Sequence, residues 1–172
     1  HVERFNPAFK SVKDEISNTM FIEAHRLAEF NPRGTDVPVV LDLMIHDIDA
    51  ILSVVKSKVK HVSASGVSVI SDTPDIANAR IEFENGCVAN LTASRISLDR
   101  MRKIRIYEEN TYVSTDYSEQ QVMVYHKKSG ELLDDASPME AINVEPLDVK
   151  RVEPLKIEIG SFLECIPTRT SP

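Results

Sequence analysis

The residues best suited to chemistry lie together in one segment, VVLDLMIHDID at positions 39–49. At about 100° per residue, Asp42, His46 and Asp49 fall in a stripe roughly 60° wide on one face of a helix. An aspartate one turn from a histidine can accept the ring N–H, fix the tautomer and raise the pKa of the imidazole. This spacing predicts a general acid or base, with His46 as the catalytic group and Asp42 as its orienting partner.

Two other interpretations fit the same segment. Asp42 and His46 could form a satisfied polar seam at a domain or subunit interface, because structural networks also hold buried charges. They could also supply two metal ligands, but no further His or Cys stands at ligand spacing nearby. The sequence therefore predicts no metal site, and the catalytic and structural interpretations both stay open at this stage.

Two arginines are further candidates for contact with a substrate, since guanidinium groups bind anionic oxygens through paired hydrogen bonds. Arg26 alternates with His25 along a predicted strand, so only one of the two side chains can face the site, and Arg26 is the choice. Arg95 lies on the return strand of a predicted hairpin, from which it could reach a substrate or a phosphate. The alternative is a surface ion pair, which adds little stability.

The predicted elements explain how these side chains are held. A helix opening at Asn6-Pro7 and a strand at 20–27 come first, and a helix at 36–55, apolar almost all round and therefore buried, carries the catalytic segment. From His61 the apolar period changes from 3.6 to 2, which predicts a strand at 62–70 and a hairpin turning at Asn85-Gly86. Further strands are predicted at 103–107, 111–116, 121–126 and 142–149, the last inside a weakly patterned excursion at 133–152, and a final helix opens at Pro154 and stops at Pro167.

This order of elements predicts an α+β fold, a large, mostly antiparallel open sheet with helices on one face. The 172 residues are enough for one domain spanning 1–172. An antiparallel sheet covered on one face leaves the other face to water or to a partner. We therefore expect a homo-oligomer formed through the sheet face.

Composition excludes several classes of protein. The net charge of −7 argues against general nucleic-acid binding, and no apolar run approaches the ~20 residues of a membrane span.

Two cysteines make no disulfide framework, which predicts a reducing, cytoplasmic location. The five glycines are too scattered for a G-x-G-x-x-G loop, so the chain is not expected to hold a dinucleotide by itself. Because it begins at His1 without Met, we expect a domain cut from a longer protein.

The catalytic segment resembles the catalytic helix of the Gfo/Idh/MocA family, the glucose–fructose oxidoreductase and inositol dehydrogenase-like enzymes, in its Asp-x-x-x-His followed by Asp three residues later. Positions 2–7 (VERFNP) resemble the Arg-Phe-x-Pro segment that follows the family's nucleotide-binding domain. Positions 23–26 (EAHR) and 31–34 (NPRG) resemble the strand and loop before the catalytic helix, and 154–158 (PLKIE) resembles the late Pro-Leu-x-x-Glu helix. The resemblance covers nearly the whole chain.

The resemblance implies the C-terminal, substrate-binding half of an NAD(P)-dependent oxidoreductase whose Rossmann domain, absent from this chain, binds NAD or NADP. It implies a sugar, inositol or related polyol as substrate, hydride transfer, and His46 as the acid/base on the substrate hydroxyl. Asp42 would orient His46 or touch the substrate, and the fragment alone would bind no cofactor and be inactive. The remaining site residues would be Arg26, Asn31, Asp49 and Arg95 near the substrate and Arg4 near the cofactor.

The chain also departs from the family pattern. It contains no Glu-Lys-Pro segment, and VPVVL stands at 37–41 where many relatives have glycines before the aspartate. An alternative function is a non-catalytic sheet module for self-association or carbohydrate binding. Because specificity depends on pocket geometry, the sequence does not identify the substrate or choose between NAD and NADP.

Overall fold

A computed structural model describes residues 1–32, 34–128 and 142–169. Arg33 of the predicted loop and residues 133–141 of the predicted excursion lie outside the described residues. The described residues form one eight-stranded sheet and three α-helices. In chain order the elements are α1 (Pro7–Glu15), β1 (Phe21–Leu27), α2 (Ile45–Val54), β2 (Val59–Val67), β3 (Ile76–Phe83), β4 (Val88–Ser94), β5 (Met101–Tyr107), β6 (Thr111–Asp116), β7 (Gln121–Lys127), β8 (Ile142–Pro146) and α3 (Pro154–Thr168).

The sheet has the strand order β2-β3-β4-β1-β5-β6-β7-β8. The first strand in sequence therefore lies in the middle, where β1 pairs parallel with β4 and antiparallel with β5. All other neighbouring pairs among the described strands are antiparallel. The α+β prediction of a large, mostly antiparallel open sheet is confirmed.

The hairpin of β3 and β4 follows directly from its sequence. Alternate residues of both strands are buried, as expected when one face of a sheet packs on a core. Gly86 has φ +88°, and its N–H donates to the Phe83 carbonyl at 3.0 Å. This geometry closes a short loop with a residue in the left-handed region, where glycine carries no steric cost.

The core lies between the sheet and the helices α1 and α2. Asn6 caps α1, since its side-chain oxygen accepts the Ala8 N–H at 3.1 Å, and Pro7 occupies the first helical position as predicted. Phe9 and Val12 of α1 are fully buried, as is Ile51 of α2. Their facing positions on the sheet are filled mainly by small and branched side chains, including Ile22, Ala89, Leu91, Ile104, Ile106 and Val113.

Two predicted elements in the first half of the chain differ from the structure. The strand predicted at 62–70 begins three residues earlier, at Val59, and all of β2 is exposed because it is the edge strand. The second helix does not begin at Asp36: residues 34–37 form a turn, and a π-helical turn, Val40–Met44, precedes α2. Nor is this helix buried all round, because Leu41 is 60% exposed.

The final helix also departs from its prediction. Pro167 does not stop α3, which continues to Thr168 with the proline inside its last turn. Its apolar stripe is half exposed rather than packed on the sheet, with Ile159 at 51% and Phe162 at 57%. Nowhere in the described part of the chain is a helix both long and apolar enough to cross a membrane.

Candidate active site

Segment 39–49, which carries the candidate residues Asp42, His46 and Asp49, enters α2 through a widened turn. In Val40–Met44 the backbone is π-helical, and the Ile45 N–H donates to the carbonyl of Val40, five residues back. Such turns are frequent at functional sites, and they shift the side chains that precede them relative to the α-helical part. Asp42 therefore does not lie one turn directly before His46, as it would in a regular α-helix.

His46 lies in the first turn of α2 with its ring half-buried. Its Nδ1 is enclosed and has no hydrogen-bond partner among the described side chains. The ring of His1 stands edge-on to the His46 ring, with centroids 5.4 Å apart. Burial lowers the pKa of His46 below its usual 6.5, and the positive charge of Arg26 is the second cause of this decrease. The imidazole is therefore neutral at neutral pH.

Asp42 is exposed and does not hydrogen-bond His46 in the described structure. One of its carboxylate oxygens lies toward Gly34, 4.0 Å from where a Cβ would stand on that glycine. The predicted role of Asp42 in orienting the imidazole is not seen in this structure, because the π-helical turn directs the carboxylate to the preceding loop. Contact of Asp42 with a substrate stays a prediction.

Arg26 is buried, and its donors are taken by protein carboxylates. The guanidinium binds both oxygens of Asp47, at 2.8 and 2.9 Å, and one oxygen of Glu3 at 2.8 Å. Burial alone would lower the pKa of Arg26, but the hydrogen bonds and charges of these carboxylates raise it above its ordinary value. The side chain of Arg26 therefore faces the core, and its partners lie inside the chain. Its predicted contact with a substrate stays a prediction that would require these ion pairs to open.

Two other predicted site residues bind each other. Arg4 donates from Nε and a terminal nitrogen to the two oxygens of Asp49, both at 2.6 Å. This paired hydrogen bond raises the pKa of Arg4. The structure thus places Arg4 and Asp49 beside His46 on adjoining elements, but engages each with the other. Their predicted contacts with cofactor and substrate stay predictions that would require this pair to open or share its donors.

Arg95 belongs to the scaffold of the site. It is 4% exposed and donates to the carbonyls of Gly34, Val37 and Pro74. Its Nε also lies 3.3 Å from a carboxylate oxygen of Asp75. This side chain therefore binds the loop before segment 39–49 to the connection between β2 and β3. The predicted contact of Arg95 with a substrate stays a prediction that would require these hydrogen bonds to break.

The remaining predictions concern the loop and metals. Asn31 lies in the exposed loop after β1, and its predicted contact with a substrate stays a prediction. Within the described ranges, no group of three or more His, Cys, Asp or Glu side chains is placed to hold a metal ion.

Sequence reasoning missed three residues that organise the site. Glu3 and Asp47 are the buried partners of Arg26, and Asp75 is fully buried below Arg95. Asp75 accepts hydrogen bonds from the Ser71 hydroxyl and from three successive backbone N–H groups, which hold its pKa well below the usual range. The sequence signal for Asp47 was a charged residue among apolar neighbours in a helix that was predicted to be buried. It did not identify the partner, because Arg26 is 21 positions away.

The family assignment rests on two comparisons. A family model for the GFO/IDH/MocA C-terminal domain matches residues 21–113. The chain belongs to the GFO/IDH/MocA family. A curated relative, the UDP-N-acetylglucosamine 3-dehydrogenase of Acidithiobacillus ferrooxidans, is 34% identical over 167 residues, which are 96% of this chain and 52% of the relative. The chain therefore spans about half the length of that relative.

Several solved structures share the fold of this chain. The A. ferrooxidans enzyme superposes with a TM-score of 0.88 at 33% identity, covering 99% of this chain and 53% of the other. An NAD-binding protein from Listeria innocua has a TM-score of 0.73 at 17% identity, covering 100% and 54%. A levoglucosan dehydrogenase solved with NADH has a TM-score of 0.67 at 16% identity, covering 85% and 45%. The last two show the fold alone.

A nicotinamide dinucleotide does not fit the described residues of this chain. Gly34 and Gly86 lie in turns, Gly66 lies on the edge strand and Gly160 lies inside α3, so no glycine loop joins a strand to a helix around a phosphate there. Arg4, the predicted cofactor contact, has its guanidinium on Asp49. Among the described residues, the site thus contains the half-buried imidazole of His46 and no glycine loop of this kind.

Proposed function

We propose that this chain is the substrate-binding and catalytic half of an NAD(P)-dependent oxidoreductase that acts on a sugar, an inositol or a related polyol. The similarity to a UDP-N-acetylglucosamine 3-dehydrogenase makes a nucleotide-linked sugar the first substrate to test. The cofactor half would lie in a separate domain of the full-length protein, in the cytoplasm. The single observation that carries the proposal is the half-buried His46, held neutral beside a buried Arg26–Asp47 pair.

The chemistry of this chain's own residues is proton transfer. In the proposed reaction a substrate hydroxyl is oxidised, and the proton on its oxygen must be accepted by a base. His46 is suited to this role because its imidazole is neutral at neutral pH. Nδ1 is enclosed within the protein, so Nε2 is the nitrogen that would accept the proton. A nicotinamide cofactor, held by a separate domain of the full-length protein, would supply the hydride acceptor.

The Arg4–Asp49 pair would stand near the same substrate. It joins the 3₁₀ turn Val2–Phe5 to α2, one turn of helix beyond His46. A substrate that reaches His46 would therefore meet one exposed guanidinium and one half-buried carboxylate. Such a mixed pair suits hydroxyl groups, which both donate and accept hydrogen bonds.

Replacement of His46 tests the proposal in the full-length protein. We expect the protein to reduce NAD or NADP with UDP-N-acetylglucosamine, or with a free sugar or inositol. The His46→Ala variant should lose about 10²–10⁴-fold in kcat, the usual contribution of a general acid–base group, while its Tm stays near that of the wild type. His61→Ala, on the exposed edge strand, is the matched control and should keep full activity. Unchanged turnover in His46→Ala would favour a non-catalytic sheet module.

We also propose that the protein forms a homo-oligomer through the sheet face away from α1 and α2. The support is a row of half-buried aromatic rings across β1, β5, β6 and β7 on that face, with neighbouring centroids 4.7 to 5.9 Å apart. Half-exposed aromatic side chains in a contiguous group are typical of protein interfaces.

A further inference from the structure

Arg26 joins two segments that are far apart in sequence. Its Nε and one terminal nitrogen bind Asp47 in α2, and its other terminal nitrogen binds Glu3 in the turn Val2–Phe5. Arg26 itself lies in β1, at the centre of the sheet. One guanidinium therefore fixes a turn and a helix to the most central strand.

Both partners of Arg26 are next in sequence to residues of the candidate active site. Asp47 follows His46, and Glu3 precedes Arg4, which pairs with Asp49. The side chains of Arg26, Glu3 and Asp47 are 3%, 7% and 4% exposed, so solvent does not compete for these contacts. A shift of either carboxylate would move a neighbouring site residue with it.

The surroundings hold this ion cluster in one arrangement. The guanidinium carbon lies 5.8 Å from the centre of the buried Tyr117 ring. Asn6 donates from its side-chain nitrogen to Glu3 at 3.4 Å and to the Tyr117 carbonyl at 3.2 Å. Each carboxylate therefore has a fixed direction, and the paired geometry at Asp47 leaves Arg26 little rotational freedom.

A fold needs no such cluster for stability alone. Desolvation of buried charges is costly, and well-packed apolar side chains of similar volume often serve as well or better. What a buried ion cluster adds is a defined geometry, because a guanidinium fork fits its carboxylates in few orientations. Here the geometry so defined is the placement of the first turn of α2 against the turn Val2–Phe5.

We propose that Arg26 is a positioning residue for the acid/base His46: by binding Glu3 and Asp47 together, it sets where the imidazole stands relative to Arg4 and Asp49. This inference rests on the proposed function of His46. Arg26 touches neither substrate nor cofactor in this scheme. It acts through Asp47, the residue after His46, and through Glu3.

The charged groups that face His46 come from three elements. They are Asp47 on its own helix, Glu3 in the turn Val2–Phe5 with the amino group and imidazole of His1 just before that turn, and Arg26 from β1. A lysine at position 26 would keep the positive charge of Arg26. It would lose the fork that reaches two carboxylates, because an ammonium is a compact point charge. Arg26→Lys thus changes geometry while leaving the charge around His46 nearly the same.

The test compares Arg26→Lys with Arg80→Lys in the full-length protein. Arg80 is the matched control, since it also lies on a strand and pairs with a carboxylate, Glu82, but is 45% exposed. For Arg26→Lys we expect kcat to fall at least about tenfold with KM within about twofold, because misplacement of a catalytic group by ~1 Å can cost ~10²-fold. The acid limb of the pH profile should stay in place, since the charge is kept.

A second measurement does not depend on turnover. In histidine-labelled full-length protein, the ring signal of His46 can be assigned by its loss in His46→Ala. We expect this NMR signal to shift or broaden in Arg26→Lys and to stay unchanged in Arg80→Lys. An unchanged signal in folded Arg26→Lys overturns the proposal, and so does a kcat within about twofold of the wild type. If the wild type oxidises no sugar or polyol, the proposed function fails, while the signal still decides whether Arg26 positions the ring.

Glu3→Gln keeps the inference falsifiable if Arg26→Lys does not fold. The amide retains an acceptor oxygen for Arg26 and nearly the same size, but it loses the ionic tether. The control is Glu82→Gln, a carboxylate on β3 whose partner Arg80 stands 3.2 Å away at the surface. A merely structural role predicts a lower Tm with the His46 signal and kcat unchanged, and that result overturns the proposal.

Discussion

At the scale of single residues, His46 experiences opposing electrostatic effects. Burial and the Arg26 charge lower its pKa, whereas the carboxylates of Glu3 and Asp47 raise it, and the lowering effects dominate.

The pKa of Cys87 is shifted by burial alone. Its thiol is enclosed on the core side of the hairpin, and burial raises its pKa to about 11, so it is inert at neutral pH.

The lowered pKa of His46 predicts a pH dependence of stability. The unfolded chain takes up this proton near pH 6.5, whereas the folded protein resists it until a lower pH. The free energy of unfolding should therefore fall as the pH drops from about 6.5 through the folded-state pKa. Above pH 6.5 the contribution of His46 is complete and should not change further with pH.

Urea unfolding at about pH 7.5 and about pH 5.5 measures this effect. The wild type should lose more stability between the two values than His46→Gln, in which the titrating group is missing. His61→Gln, on the exposed edge strand, is the control and should behave as the wild type. An equal loss in wild type and His46→Gln would contradict the lowered pKa.

At the scale of elements, two glycines predict opposite effects of one substitution. Gly86 has φ +88° in the turn between β3 and β4, and Gly160 lies in α3, with open space where a Cβ would stand at both positions. At Gly86 an alanine strains the backbone, which should lower the free energy of unfolding by about 1–2 kcal/mol. At Gly160 an alanine favours the helix, which should raise it by about 0.5–1 kcal/mol.

Chemical denaturation of Gly86→Ala and Gly160→Ala tests these signs. Since neither new methyl group meets an atom within 4 Å, any difference between the variants comes from the backbone. A gain in stability for Gly86→Ala would mean that the turn does not hold a left-handed residue. A loss for Gly160→Ala would mean that α3 is not helical at that position.

Elements with a regular pattern could be predicted from the sequence, and irregular ones could not. Strict alternation located β3 and β4, and the Asn6-Pro7 pair located the start of α1. The π-helical turn before α2 has no comparable signal, and the predicted hydrogen bond between Asp42 and His46 is not present in this structure. The edge strand β2 was displaced by three residues, because an exposed strand lacks the buried face that fixes its register.

In the candidate site, features that depend on neighbours in sequence could be predicted, and contacts between distant residues could not. His46 could be found because its neighbours in sequence are its neighbours on the helix. The partners of Arg26 lie 21 and 23 positions away, and those of Arg95 up to 61, so local patterns hold no information about these contacts. Arg26 and Arg95 were predicted to bind substrate because their types suit anionic ligands. Only the fold reveals that carboxylates and carbonyls of the same chain take their donors.

At the scale of the whole molecule, the two faces of the sheet differ in composition. The core-facing side packs on α1 and α2 through aliphatic side chains. The open side has a row of rings in register across four strands, with centroids 5.9 Å apart for Phe21 and Tyr107 and 4.7 Å apart for Tyr107 and Tyr112. Burial, and to a smaller extent the negative charge of Glu23, raises the pKa of Tyr107 to about 12, so its hydroxyl stays protonated. This face is thus neutral and aromatic along one line.

The proposed oligomer predicts that this row lies at a subunit interface. Tyr112 stands inside the row, 4.7 Å from Tyr107 on one side and 4.7 Å from Tyr125 on the other. A carboxylate placed there would be desolvated in an interface without a partner, which costs several kcal/mol. In sedimentation at micromolar concentration, the full-length wild type should therefore be an oligomer and Tyr112→Glu should be shifted toward the monomer.

The control must place a carboxylate at an exposed apolar position off the sheet. Leu98 meets this condition, since it lies in the loop between β4 and β5 and is 95% exposed. Leu98→Glu should keep the oligomeric state of the wild type. Because Tyr112 also stabilises its own strands by stacking, the Tm of Tyr112→Glu must show that the variant is folded at the temperature of the experiment. A monomeric wild type, or a folded Tyr112→Glu that sediments as the wild type does, would contradict an interface on this face.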